Sequence, residues 1–267
     1  MLIKESYVDV PTSFGTNIRL FVFHPTVPGY PNAKFPGVIA WSEIYQVTGP
    51  VSRIAKQIAG QGYIVVAPSV YHNFEGPEPL AYDVEGTDRG NEYKVKKPVK
   101  SYDEDNKIAT DYLTSLPTCT GRIGATGMCL GGHLAFRAAL DPRVKAAVCF
   151  FGTDIHTGTL GDGDDSLARA GDIKGELLMI FGTHDTHVPP AGRDLIRQTL
   201  RDAGVRLNFW EVWGAQHAFV RDENSKGRYD PAVTKVTMDA LFELFGRALK
   251  LDLGEPEGPA GEPEHVC

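Results

Sequence analysis

From residue 122 to residue 132 the chain reads Arg122-Ile-Gly-Ala-Thr126-Gly127-Met128-Cys129-Leu130-Gly131-Gly132. The first five residues are a short strand signal. From Leu130 to Leu140 the pattern turns helical, and Asp141-Pro142 ends it. A nucleophilic side chain therefore sits on the sharp turn between a strand and a helix, with glycine two residues before it and two after. That spacing has a steric reason. Strand and helix cross closely at such a turn, and side chains at Gly127 or Gly131 would collide with neighbouring backbone. The helix start adds free amides and a partial positive charge, which favours a thiolate at Cys129 and makes the Leu130 amide a candidate oxyanion donor. The competing reading is a buried structural cysteine in a glycine-rich turn, a common fate for free cysteine.

Outward from this turn, strand-like and helix-like segments alternate. Ser6–Val10 and Ile18–His24 read as strands, followed by buried strands at Pro36–Trp41 and Tyr63–Ala67 around a helix at Val51–Gly60. A helix is expected at Asp103–Leu116. Beyond the turn come strands Val144–Phe151, Leu177–Phe181 and Leu207–Val212, with helices Asp194–Asp202 and Val233–Leu249. The alternation implies an α/β fold with a mostly parallel central sheet and helices on both faces. From Ser69 to Lys100 no clear period survives, so that segment is expected to be irregular, either a solvated loop or a lid over a site. Residues 1–252 are expected to form a single domain. The Pro/Gly/Glu-rich stretch 253–267 is expected to be a disordered tail.

Composition narrows the function. The 267 residues are 42% hydrophobic and 23% charged, which suits one globular core. A net charge of −7 lacks the basic footprint of a nucleic-acid binder. No run approaches the roughly 18 apolar residues of a membrane helix, and the N-terminus has no secretory pattern. Four cysteines, Cys119, Cys129, Cys149 and Cys267, form neither a disulfide framework nor a metal motif, so a reducing cytoplasmic setting is expected. Cys149 belongs to the core, and Cys119 is expected in a connection. Nothing in the sequence indicates an oligomeric state.

Two downstream stretches complete a catalytic set. The strand Leu177–Phe181 runs into Gly182-Thr183-His184-Asp185-Thr186-His187-Val188-Pro189, which places Asp185 where a triad acid belongs. The last strand runs into Gly214-Ala215-Gln216-His217-Ala218-Phe219, which places His217 as the base. The chain order nucleophile, acid, histidine is that of the α/β-hydrolase fold. Asp185 would orient the imidazole and His217 would move the proton. His184, Asp185 and His187 also raise a metal site, but their spacing matches no zinc pattern and no fourth ligand is evident, so no metal and no cofactor are expected.

These motifs, together with Trp41-Ser-Glu-Ile44 and the GAQHAFVR run ending at Arg221, resemble the dienelactone hydrolase (carboxymethylenebutenolidase) family over roughly residues 30–250. The resemblance implies a small-molecule ester or lactone substrate, dienelactone-like and carrying a carboxylate. It also implies four further roles. Glu43 would contact the resting cysteine and take its proton. The Ile44 amide would join that of Leu130 in the oxyanion hole. Arg221 would bind the substrate carboxylate, and Arg89 would be a second such arginine. The chain departs from the family at Ser42, where glutamine is usual, at Phe150-Phe151, where tyrosines are frequent, and through the segment 71–100. Two other classes stay open: a glutaminase-type amidohydrolase, although Phe219 stands where those carry glutamate, and a hydrolase-fold receptor without turnover.

Overall fold

The computed structural model of the protein describes residues 1–251; the expected tail at 253–267 and residue 252 lie outside the described residues. Eight strands form one sheet: β1 (Leu2–Pro11), β2 (Asn17–Thr26), β3 (Phe35–Trp41), β4 (Ile64–Pro68), β5 (Cys119–Met128), β6 (Val144–Phe150), β7 (Glu176–Gly182) and β8 (Arg206–Val212). Their spatial order is β1-β2-β4-β3-β5-β6-β7-β8. The β1–β2 hairpin and the β2–β4 pair are antiparallel, and every pair from β4 to β8 is parallel. The expected mostly parallel sheet is thus present, with one antiparallel edge.

Among the described residues, six α-helices accompany the sheet: α1 (Gly49–Gly60), α2 (Val84–Lys96), α3 (Val99–Ser115), α4 (Leu130–Ala138), α5 (Pro190–Asp202) and α6 (Pro231–Phe245). A π turn, Gly246–Lys250, extends α6. Helices cover both faces. A side chain at Gly37 would meet Leu113 of α3, whereas one at Gly124 would meet Phe245 and Leu249 at the end of α6. Val51 and Ile54 of α1 share that second face with Met238 of α6. The central strands are buried on both sides, as with Val38, Ile39, Val65, Val66 and Val148. This is why they read as continuous apolar runs rather than alternating ones. Cys119 is the first residue of β5 and is buried, not part of an exposed connection.

The segment 69–100 departs most from expectation, for it contains α2. Asp83 caps this helix by accepting the Gly86 amide at 2.7 Å. Glu85 in the first turn and Lys94 and Lys96 in the last complement the helix dipole. Its buried residues are glycines, Gly86 and Gly90, so no apolar stripe announces it. Just beyond, Lys97 is fully buried and donates to Asp105 of α3 (2.6 Å) and to the Val70 carbonyl (2.7 Å). His72 meets the other oxygen of Asp105 at 2.8 Å. Three polar side chains thus pin the α2–α3 junction to the chain leaving β4. Among the described residues, no helix is long and apolar enough to cross a membrane.

Candidate active site

Cys129 sits between β5 and α4 with φ of 59° and ψ of −121°, a region that side-chain-bearing residues rarely occupy. The neighbouring glycines make this turn buildable. A Cβ at Gly127 would lie 2.2 Å from the Gly131 carbonyl oxygen, and one at Gly131 would lie 2.3 Å from that of Trp41. Glycine at 131 therefore lets α4 start directly against the exit of β3. The same contact brings Leu130 close to the Ser42–Tyr45 loop that carries Glu43 and Ile44.

At the same carboxyl end of the parallel strands, the loops after β7 and β8 zip together. Thr183 donates its amide to Val212 (3.0 Å) and His184 donates to Ala215 (3.0 Å). This pairing sets Asp185 beside His217, whose Nδ1 donates to Asp185 Oδ2 at 2.8 Å. Asp185 Oδ1 accepts the His187 amide at 2.8 Å. Burial opposes the charge on Asp185, but these bonds and the nearby histidines outweigh it and hold the carboxyl well below its usual range. With Nδ1 protonated, His217 Nε2 keeps a lone pair; that atom is buried and has no partner among the described residues. Burial pushes the imidazole toward its neutral form, against the pull of Asp185. Phe151 packs edge-on against the ring at 4.9 Å, and His187 stacks on it at 4.1 Å.

Ligand atoms of Asp185, His187 and His217 lie within 4.8 Å of one another. Two stacked imidazoles send their in-plane lone pairs side by side rather than toward a common point, and Asp185 is already engaged by both residues. The arrangement suits a hydrogen-bonded acid–base pair better than tetrahedral metal ligation.

A cavity of 240 Å³ opens between these groups, lined by Glu43, Ile44, Cys129, His217 and Arg221 among others. Glu43 is almost fully buried. Its Oε1 accepts from Arg221 Nη1 at 3.3 Å, and its Oε2 lies 3.2 Å from the Tyr82 hydroxyl. Burial raises the Glu43 pKa, while Arg221 and Tyr82 restrain the rise. The thiol of Cys129 is pushed up to about 12, first by burial and then by the charge of Glu43; the Leu130 amide opposes this. Desolvation and the Glu43 charge thus work against the thiolate that the helix start favours. One amide at a helix start does not offset desolvation plus an adjacent carboxylate.

Of the residues singled out from sequence, Cys129, Asp185, His217, Glu43, Ile44 and Arg221 surround or adjoin this cavity, and Leu130 lies against the thiol. Arg89 does not join them. It pairs with Glu75 and, at 3.9 Å, with Glu85, and it is absent from the cavity wall. The helix that carries it turns Thr87, Asn91 and Lys94 inward instead. Sequence reasoning missed Tyr45 and Tyr82, whose rings lie 5.8 and 4.6 Å from the Arg221 guanidinium, and also Lys226 and Arg228. The Gly-Pro-rich context of Tyr82 and the loop setting of the two cations left no periodic signal to find them by.

A family model of the dienelactone hydrolases matches residues 20–249. A Saccharomyces cerevisiae protein provisionally named a carboxymethylenebutenolidase is 61% identical, covering the whole of both chains. The chain belongs to the dienelactone hydrolase family. Membership places it among the hydrolases of carboxylic esters and lactones. A similarly named Synechocystis protein is 26% identical over 93% of this chain and 98% of its own. A Klebsiella pneumoniae structure, provisionally called a dienelactone hydrolase, superposes with a TM-score of 0.79 at 21% identity. It covers 92% of this chain and all of the other. At that identity the superposition speaks for the fold alone.

Proposed function

We propose that this dienelactone hydrolase family member cleaves small, carboxylate-bearing esters or lactones through Cys129 and an acyl-thioester. One observation carries the reading: the cysteine on the strained turn shares its cavity with the free Nε2 of an Asp185-held histidine and with a buried glutamate. At rest the sulfur is a thiol. A substrate carboxylate drawn to Arg221 competes with Glu43 for that guanidinium. Losing its cation makes Glu43 a stronger base, and it takes the Sγ proton. The thiolate then attacks the carbonyl carbon, and the Leu130 and Ile44 amides receive the oxyanion, each such donor contributing about 3–4 kcal/mol in comparable sites. The C–O bond to the leaving enolate or alkoxide breaks. His217 takes a proton from water as the oxygen adds to the thioester carbonyl. The departing thiolate recovers its proton from Glu43, and the proton on His217 passes to the leaving group or to solvent.

A resting thiol protects the site from stray electrophiles, and the chemistry favours substrates with good leaving groups. An enol-lactone such as dienelactone qualifies, whereas an amide does not. The test is hydrolysis of dienelactone and of an activated aryl ester by the wild type and by Cys129→Ala. The variant is expected to lose turnover of both. Equal rates would remove Cys129 from the mechanism.

A further inference from the structure

We infer that the loop after Arg221 makes this cavity selective for substrates carrying two negative charges, with Arg228 and Lys226 binding the second. The inference rests on the hydrolase reading and adds a substrate class to it. Among the described residues, four cations line the cavity, Lys94, Arg221, Lys226 and Arg228, against a single carboxylate, Glu43. Two of the four are neutralised. Lys94 donates to Asp154 at 2.7 Å, and Arg221 to Glu43. Among the described residues, Lys226 and Arg228 meet no carboxylate.

The loop itself carries two acids that would be their natural partners, and both are held elsewhere. Arg53 of α1 binds Asp222 at 2.6 and 2.9 Å and Glu223 at 3.0 Å. The loop thus sorts its charges, acids outward to α1 and bases inward to the cavity. Its conformation is built rather than slack. Arg221 Nη2 donates to the Asn224 carbonyl (3.2 Å), Arg228 N to Ser225 (3.1 Å) and Asp230 N to Phe219 (2.9 Å). Asn224 and Lys226 adopt left-handed φ values of 50° and 53°, beside Gly227 at 78°. Such conformations in side-chain-bearing residues persist where surrounding contacts impose them, often at ligand sites.

Arg228 is half-buried, and its charge reaches the catalytic ring, adding slightly to the burial that keeps His217 neutral. A half-buried guanidinium with no counter-ion is unfavourable until an anion completes it. Arg221 also keeps a buried Nε without a partner among the described residues. One carboxylate on Arg221 and a second on Arg228 and Lys226 would satisfy all three groups. Dicarboxylate esters or lactones have that charge pattern.

The experiment compares mono-para-nitrophenyl esters of valeric, glutaric and tricarballylic acid, which share a five-carbon chain and leave no, one and two free carboxylates. Wild-type kcat/KM should rise along the series, with the dianion advantage shrinking at high salt. Arg228→Gln should lower the dianion-to-neutral ratio on the order of tenfold, and Lys226→Gln by less, while Arg228→Lys retains most of it. A merely structural role would lower all three esters equally and leave the ratio unchanged, which would overturn the proposal. So would a wild type indifferent between one and two carboxylates. Binding of the intact esters to Cys129→Ala reads the same ranking without turnover. Flat affinities there reject the dianion site, whereas ranked affinities with an inert wild type would reject the hydrolase reading and keep the site.

Discussion

Glu43 and Cys129 compete for one negative charge. Each is desolvated, the charge of Glu43 makes Cys129 harder to ionise, and Arg221 favours the charge on Glu43. Glu43→Gln therefore has opposed effects on two measurements. Removing the carboxylate lowers the Cys129 pKa, so iodoacetamide alkylation at neutral pH should accelerate on the order of tenfold. Ester hydrolysis should nevertheless fall, because the proposed base is gone. Slower alkylation together with slower hydrolysis would contradict this account. His217 gives a pH prediction with a definite sign. Its lowered pKa keeps the ring neutral below the usual histidine value, so kcat/KM should hold down to about pH 6.5 and decline only beneath it. An acid limb centred above pH 7 would refute that. Asp185 acts on stability as well. Its folded pKa is depressed, so its stabilisation is complete above the unfolded value of about 3.9 and fades as acid protonates it. Asp185→Asn should lower Tm at neutral pH, with the gap from wild type closing below about pH 4, and should cut kcat by roughly 10² to 10⁴.

At the scale of elements, α2 is the informative part. It lies against the Ser42–Tyr45 loop through Gly90, where a Cβ would come within 2.4 Å of the Ile44 carbonyl oxygen. Tyr71 reinforces the contact by donating its hydroxyl to the Gly90 carbonyl at 2.8 Å. The helix therefore buttresses the backbone proposed to hold the oxyanion, within a segment whose sequence left a solvated loop and a lid equally open. Gly90→Ala should destabilise by about 1–3 kcal/mol through overpacking. It should also lower kcat roughly tenfold to a hundredfold by displacing Ile44. Thermal unfolding and ester kinetics separate the two effects. A variant with lower Tm and unaltered kcat would show that α2 supports the fold but not the site. The helix was illegible in sequence because its buried contacts are made by glycine backbone, whereas amphipathic patterns record side chains.

Across the whole molecule, the cavity stands on groups gathered from both halves of the sheet, and the α2–α3 region must stay anchored for it to keep its shape. Lys97 and Asp105 supply that anchor in a fully buried ion pair, with His72 against the same carboxylate. Removing one partner leaves the other charge buried and unpaired. Lys97→Met should cost about 3–5 kcal/mol in urea unfolding, and an added Asp105→Leu should recover much of the loss. If Lys97→Met alone proved neutral, the pair would not be the anchor.

What the chain determined by itself was local and periodic. Buried strands announced themselves as apolar runs, the turn at Cys129 by its flanking glycines, and Asp185 and His217 by following two late strands in order. Family likeness supplied Glu43 and Arg221, but it also suggested Arg89, which the fold directs toward Glu75. Tertiary structure alone decided the surroundings that raise the thiol's pKa, the burial of Lys97 and the inward turn of Lys226 and Arg228. The physical reason is common to all three. A pKa, a desolvation cost or a charge's direction depends on which groups lie within a few ångströms, and those neighbours come from distant stretches of chain.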